Sequence, residues 1–169
     1  MSAYGRLWAA DTSTNKTSVY FSDLLDGAKW GSGSAGLINI SGVITGLGSH
    51  NGFLIIFCKN NIIIFKDNDS FQGSFDVNTL QLVEVLEGVG CIARDSIQNI
   101  GEDIVFLSAT GLRSLGRTIQ EKSAKMNDLS RNIRDTFIGD VSRESNLGLI
   151  KSCYFPEDAF YVISLPEAA

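Results

Sequence analysis

The chain has 169 residues and a formal net charge of −5, with 44% hydrophobic and 20% charged residues. This composition is typical of one globular domain and excludes wholesale disorder, which needs low hydrophobicity and a high net charge. The longest unbroken apolar stretch is six residues, Phe53–Cys58, whereas a membrane-spanning helix needs roughly 20. We therefore expect no membrane contact and no signal peptide, and an acidic chain is a poor candidate for duplex DNA binding.

Four pairs of short runs rich in β-branched and aromatic residues lie along the chain, each pair joined by a polar turn. This pattern predicts β-hairpins. The paired runs are 6–10 with 18–21, 53–57 with 62–65, 103–107 with 112–115, and 152–155 with 159–163. Gly111 is expected to supply a positive φ in the third turn. Further strands are predicted at 36–45, 79–86 and 96–100.

The predicted hairpins recur at a nearly constant interval. They begin near residues 6, 53, 103 and 152, so the steps are 47, 50 and 49 residues. A repeat of about 40 to 50 residues built from short strands is typical of a β-propeller, with one four-stranded sheet per blade. We therefore predict an all-β fold with three to four propeller-like blades of antiparallel strands, each about 49 residues long.

The runs 53–57 and 62–65 are apolar at consecutive positions, which predicts strands covered on both faces. The whole chain, 1–169, is read as one propeller domain or a piece of one. Closed propellers usually have about four to eight blades. An incomplete piece of a larger protein is favoured, while an unusually small ring and completion by another chain are left open.

One segment interrupts the β pattern. The polar, helix-prone stretch 119–138 is predicted to be a helical insertion, with the helix itself near 126–137. Asn127 or Asp128 is expected to cap its start, and Gly139 to end it. Its apolar face is expected to pack on the same chain and contains residues at helical spacing, Met126, Leu129, Ile133 and Phe137.

The sequence predicts no catalytic, cofactor-binding or metal-binding residue. The single histidine, His50, lies in a turn context, and neither a Gly-x-Ser-x-Gly elbow nor a Cys-x-x-Cys pair is present. The three cysteines, Cys58, Cys91 and Cys153, have apolar neighbours and are interpreted as small buried hydrophobic residues. We therefore expect a protein that is not an enzyme.

Three acidic segments resemble known loops without completing them. The stretch 11–15 spaces its oxygens like a calcium loop, but Lys16 and Ser22 stand where that loop needs glycine and glutamate. We interpret it as a polar hairpin turn, and 67–69 as a weaker version of the same signal. The segment 23–30 partly resembles the Asp-box of sialidase-type propellers, which is itself a structural turn.

The charge is unevenly distributed. Residues 112–134 include six basic and two acidic residues, which gives this segment a net charge of +4. The rest of the chain therefore has a net charge of −9. The favoured interpretation is the solvated face of a helix. A contact of segment 113–134 with an acidic partner or with nucleic acid is left open.

Several motifs together resemble the nozzle, or tubular tail, proteins of short-tailed bacteriophages, which are also described as stabilisation proteins that plug the portal channel. These motifs cover most of the chain and lie at 5–11, 18–23, 90–93, 96–97, 101–108, 111–115, 129–133, 154–155 and 160–163. This chain is several times shorter than members of that family. By this resemblance, we expect the chain to lack the region that carries the central channel and tip in that family.

The resemblance implies a virion structural protein without an active site or cofactor, made in the host cytoplasm. Its implied partners are other tail or portal proteins and further copies of itself around the DNA exit path. An alternative from another class is a glycan-binding or glycan-cleaving, sialidase-like propeller, for which Tyr4, Trp8 and Trp30 are the candidate aromatic residues. A cellular interaction propeller is a third option, but its Trp-Asp and Gly-His signatures are missing.

Overall fold

The computed structural model describes residues 1–67, 79–120 and 129–167. The chain divides into two compact units, Met1–Gly88 and Val89–Ala169, and every sheet lies within one of them. The described residues are mostly β-strand in antiparallel sheets, which confirms the β-rich class predicted from the sequence. None of the sheets in the described residues closes on itself.

The first sheet of the first unit contains four antiparallel strands in chain order, β1 (Ser2–Ala3), β2 (Arg6–Ala9), β3 (Ser18–Phe21) and β4 (Gly36–Asn39). The loop between β2 and β3 is polar, as expected for 11–15. The backbone N–H of Asn15 donates to Thr12 Oγ1 at 3.1 Å, and Lys16 Nζ lies 2.6 Å from Asp11 Oδ1. These carboxylate and hydroxyl oxygens are therefore engaged in closing the turn.

The second sheet also contains four antiparallel strands in chain order, β5 (Ile44–His50), β6 (Phe53–Cys58), β7 (Asn61–Asp67) and β8 (Leu80–Glu87). The predicted single strand at 36–45 is wrong, because β4 and β5 belong to different sheets and a turn at Gly42, with φ 146°, separates them. The predicted strand at 79–86 is confirmed as β8.

The two sheets of the first unit share one core. Its buried members come from both sheets and are Trp8, Val19, Phe21, Ile40, Ile44, Leu54, Ile56, Cys58 and Ile63. The intervening β6 residues, Ile55 and Phe57, are also buried. Both faces of β6 are therefore covered, as the unbroken apolar run predicts.

The second unit contains a three-stranded antiparallel sheet and a separate hairpin. The sheet has the order β11–β10–β9, with β9 at Gln98–Asn99, β10 at Ile104–Ser108 and β11 at Gly111–Ser114. The hairpin pairs β12 (Lys151–Phe155) with β13 (Phe160–Ser164). Gly111 has φ 131°, which confirms its expected role in the β10–β11 turn. All four predicted hairpins are thus present.

The helical part differs from the prediction. A short helix, α1 (Leu115–Gln120), directly follows β11, where the sequence predicted that the strand continues to Leu115. A second helix, α2 (Arg134–Arg143), begins after a 3-10 turn at Arg131–Ile133. The expected caps Asn127 and Asp128 lie outside the described residues.

Gly139 lies inside α2 rather than at its end, so the predicted stop is wrong. The packed face is also shifted along the chain. Ile133 is 61% exposed, whereas Phe137 and Val141 pack against a core formed by Ala93, Leu107 and Ile150. Packing on the same chain is therefore confirmed for the Phe137 end of the predicted face. None of the helices in the described ranges is long and apolar enough to cross a membrane.

Candidate functional site

The three aromatic residues proposed from the sequence occupy different environments. Trp8 is 2% exposed, and its Nε1 donates to the Ala3 carbonyl at 3.0 Å, so it belongs to the core. The Tyr4 hydroxyl donates to the Gly52 carbonyl at 2.6 Å. Trp30 is 39% exposed. Of the three, only Trp30 is exposed, whereas Trp8 is buried and Tyr4 is half-buried.

Trp30 lies in the loop between β3 and β4 and contacts Gly27, which adjoins Leu7 of β2. Its Nε1 donates to the Gly27 carbonyl at 2.8 Å, and a Cβ at Gly27 would lie 2.6 Å from Leu7 Cδ1. Tyr20 pairs with Leu37 across β3 and β4, so both lie on one face. Strand alternation and pairing put Leu7 on the same face, and we name Leu7, Tyr20 and Leu37 the outer apolar surface. Its leucines are 42% and 48% exposed, and sequence reasoning missed them although β2 and β4 alternate.

The loop that carries Trp30 is fixed by one carboxylate. Asp23 Oδ1 accepts hydrogen bonds from the Ser34 hydroxyl at 2.6 Å, the Ser34 N–H at 3.0 Å and the Leu24 N–H at 2.9 Å. These bonds, led by the Ser34 hydroxyl, lower the pKa of Asp23 to about 2. The 23–30 segment is therefore a structural turn, as its partial resemblance to an Asp-box implies.

A buried arginine, Arg6, holds the same turn in place through hydrogen bonds. Arg6 is 3% exposed, and its Nη1 donates to the Ser22 and Ser34 carbonyls at 2.6 and 3.0 Å. Its Nη2 donates to the Ser34 hydroxyl at 2.9 Å, and its guanidinium lies 5.4 Å from the centre of the Phe21 ring. Asp23 is too weak a base to activate the Ser34 hydroxyl near neutral pH. We therefore interpret Arg6, Asp23 and Ser34 as residues that position the loop.

The histidine and cysteines do not form one site. His50 is the last residue of β5, and it is half-buried. Cys58 and Cys91 are buried, and burial raises the pKa of each thiol to about 11. Cys153 is exposed on β12, so its predicted burial is wrong. A two-stranded hairpin leaves alternate residues uncovered, and Cys153 occupies one of those positions.

No group of three or more histidine, cysteine or acidic residues within the described ranges is arranged to hold a metal ion. Asp67 is 7% exposed, and its Oδ1 accepts a hydrogen bond from the Thr79 hydroxyl at 3.0 Å. The rest of the 67–69 segment lies outside those ranges. Asp67 thus links the end of β7 to the start of β8.

The basic segment is not one helix face in the described residues. Arg113 is a buried residue of β11 whose Nε and Nη2 donate to Thr110 Oγ1 at 3.1 and 2.9 Å. Arg117 lies on α1, Arg131 in the 3-10 turn and Arg134 at the start of α2. The interpretation of a single solvated helix face is therefore wrong for these residues. Lys122 and Lys125 lie outside the described ranges.

Comparison with known proteins finds neither a family model nor a curated protein that matches this chain.

Proposed function

We propose that the chain is a propeller-type structural module of a bacteriophage tail, without catalytic activity. The observation that carries this proposal is the pair of four-stranded sheets in the first unit, β1–β4 and β5–β8. Each is an antiparallel meander in chain order, and the two share a core, as neighbouring propeller blades do. The regular spacing of the four hairpins supports further blades in the second unit.

The proposed role is assembly around the DNA exit path of the virion. The supporting argument is the resemblance of the sequence motifs to tail nozzle proteins. Proposed partners are other tail or portal proteins and further copies of the chain. The outer apolar surface supports a protein neighbour, because exposed apolar patches commonly mark interaction sites. The nearby charges Asp26 and Lys29 pair with each other at 3.3 Å, so this surface suits an uncharged neighbouring sheet.

Mass in solution tests the assembly role. We expect light scattering to give a defined oligomer, and negative-stain microscopy to give rings of one size. Leu37→Asp adds a charge to the outer apolar surface and should yield monomers. Thr14→Asp adds the same charge in an exposed loop and should leave the oligomer intact. A wild-type monomer at every concentration tested would contradict the assembly role.

A glycan-binding propeller is the second candidate, and the exposure of Trp30 favours it. The indole N–H is already satisfied by Gly27, so the free ring face is available to stack on a sugar. A glycan array tests this function. We expect binding that Trp30→Ala abolishes and that Leu25→Ala preserves, since Leu25 lies in the same loop at 85% exposure. An array without any bound glycan would reject the alternative.

A further inference from the structure

The β5–β6 turn contains a sequence that is chemically labile in unfolded chains. Asn51 is followed by Gly52. Because Gly52 has no side chain, its backbone nitrogen can approach and attack the carbonyl carbon of the Asn51 side-chain amide. Both residues are exposed, and no atom lies within 4 Å of where a Gly52 Cβ would be. Steric shielding therefore does not protect this pair, and any protection must come from backbone geometry.

The turn geometry holds the reacting atoms apart. Asn51 has φ 49° and Gly52 has φ 76°, and His50 pairs directly with Phe53, so the loop is a two-residue type I′ turn. In such a turn the first central residue, here Asn51, has a ψ of about +30°. The Gly52 nitrogen then points away from Asn51 Cγ. Ring closure needs a rotation of ψ by more than about 100°, which takes the loop out of its type I′ geometry.

A contact from the other sheet of the first unit secures this geometry. The Tyr4 hydroxyl donates to the Gly52 carbonyl at 2.6 Å, although the two residues are 48 positions apart. Rotation of Asn51 ψ turns the plane of the Asn51–Gly52 peptide bond and displaces Gly52. The Tyr4 hydrogen bond opposes that movement.

We propose that Asn51 is a site of spontaneous deamidation that reacts only when the hairpin turn opens. The hydrogen bond from Tyr4 to Gly52 opposes this opening. When the turn opens, the Gly52 nitrogen forms a bond to Asn51 Cγ and the Cγ–Nδ2 bond breaks. Ammonia leaves and carries away the proton of the Gly52 nitrogen. Water then opens the succinimide to aspartate or isoaspartate, with no change of oxidation state. The isoaspartate product lengthens the backbone of a two-residue loop and disrupts the register of β5 with β6.

Ageing of the intact chain in mildly alkaline buffer tests this inference, with peptide mass spectrometry and isoaspartate-specific methylation as readouts. We expect wild-type Asn51 to react at least about tenfold more slowly in the folded chain than in urea, because reaction requires local opening. Tyr4→Phe removes the hydroxyl that donates to the Gly52 carbonyl and should accelerate the folded-state reaction about fivefold. The matched control, Tyr20→Phe, removes a hydroxyl on the outer apolar surface and should leave the rate unchanged.

Equal deamidation rates in folded and unfolded wild type would show that the turn does not protect Asn51. An unchanged rate in folded Tyr4→Phe would show that Tyr4 does not oppose opening of the turn. If Tyr4→Phe does not fold, the deamidation rate of wild-type Asn51 is measured instead at urea concentrations below the unfolding transition. The Asn51 rate should then rise in parallel with hydrogen exchange of the Phe53 amide. A deamidation rate that stays constant while exchange accelerates would reject the proposal. These outcomes do not depend on the proposed assembly function.

Discussion

Arg6 illustrates how much one side chain contributes to this structure. Its guanidinium is buried, donates to two backbone carbonyls and one hydroxyl, and lies over the Phe21 ring. Lysine carries the same charge but lacks the planar fork that reaches several acceptors at once. The sequence placed residue 6 in a strand, yet nothing in the strand pattern indicated that its charged end would be covered by the 23–34 loop.

We predict that Arg6→Lys lowers the free energy of unfolding by about 2 kcal/mol, because buried acceptors lose their donors. Urea denaturation followed by circular dichroism measures this change. Arg143→Lys is the matched control, since Arg143 makes an exposed pair with Asp140 at 3.2 Å and should change stability by less than about 0.5 kcal/mol. Similar losses in both variants would show that the Arg6 hydrogen bonds contribute little.

At the scale of elements, Gly139 distinguishes the observed helix from the predicted one. A glycine that ended the helix in a left-handed conformation would resist substitution. In the structure Gly139 is inside α2, and a Cβ there would meet nothing within 4 Å. We therefore predict that Gly139→Ala stabilises the protein by up to about 1 kcal/mol in thermal or urea unfolding. A destabilised variant would instead support a helix end at this residue.

Polar contacts join the β12–β13 hairpin to the segment around Asp95 and Ser96 within the second unit. The Tyr161 hydroxyl donates to the Ser96 carbonyl at 3.0 Å, and the Ser152 hydroxyl donates to the Asp95 carbonyl at 2.7 Å. Burial raises the pKa of Tyr161 to about 12. The carboxylate of Asp95 accepts hydrogen bonds from Arg94 and from Lys151 on β12.

We predict that Tyr161→Phe destabilises the second unit by about 1 kcal/mol, since the Ser96 carbonyl loses its donor. Hydrogen exchange of β12 and β13 amides should accelerate in this variant. Tyr154→Phe, at the position directly opposite on β12, serves as the control and should leave exchange unchanged. Equal acceleration in both variants would assign the effect to the hairpin surface rather than to the Ser96 contact.

At the scale of the whole molecule, acid should weaken the fold. Asp23 and Asp95 both have a pKa lowered to about 2, mainly by hydrogen bonds from Ser34 and from Arg94, respectively. Hydrogen bonds from Ser145 also lower the pKa of Glu167. Each of these carboxylates binds protons more weakly in the folded chain than in the unfolded chain. For Asp23 and Asp95, the stabilising effect is complete above the unfolded pKa of about 4 and is lost as pH falls towards 2.

We predict a free energy of unfolding that is nearly constant between about pH 5 and 7 and falls steadily between about pH 4 and 2. Urea titrations at a series of pH values measure this profile. Asp95→Asn should lower stability at neutral pH and flatten the acidic decline, whereas Asp140→Asn, which removes a single ion pair with Arg143 on α2, should do neither. A profile for Asp95→Asn parallel to wild type would contradict the role assigned to Asp95.

The local pattern of the sequence was sufficient for the four hairpins and for the buried runs of β6 and β7. Alternating or continuous apolar residues and glycine-containing turns act over a few positions, so the chain specifies these elements without distant contacts. The ends of the helices were not specified in this way. The start and packed face of α2 depend on contacts of Phe137 and Val141 with Ala93 and Leu107, which are distant in sequence.

Tertiary structure also decided which side chains remain available at the surface. Trp8 and Trp30 were both candidate exposed aromatic residues, but a shared core covers the first and leaves the second exposed. Cys153 is exposed while Cys58 is buried, because one strand lies in a two-stranded hairpin and the other inside a four-stranded sheet. Burial depends on which neighbours the completed chain brings to each face, and short-range periodicity does not contain that information.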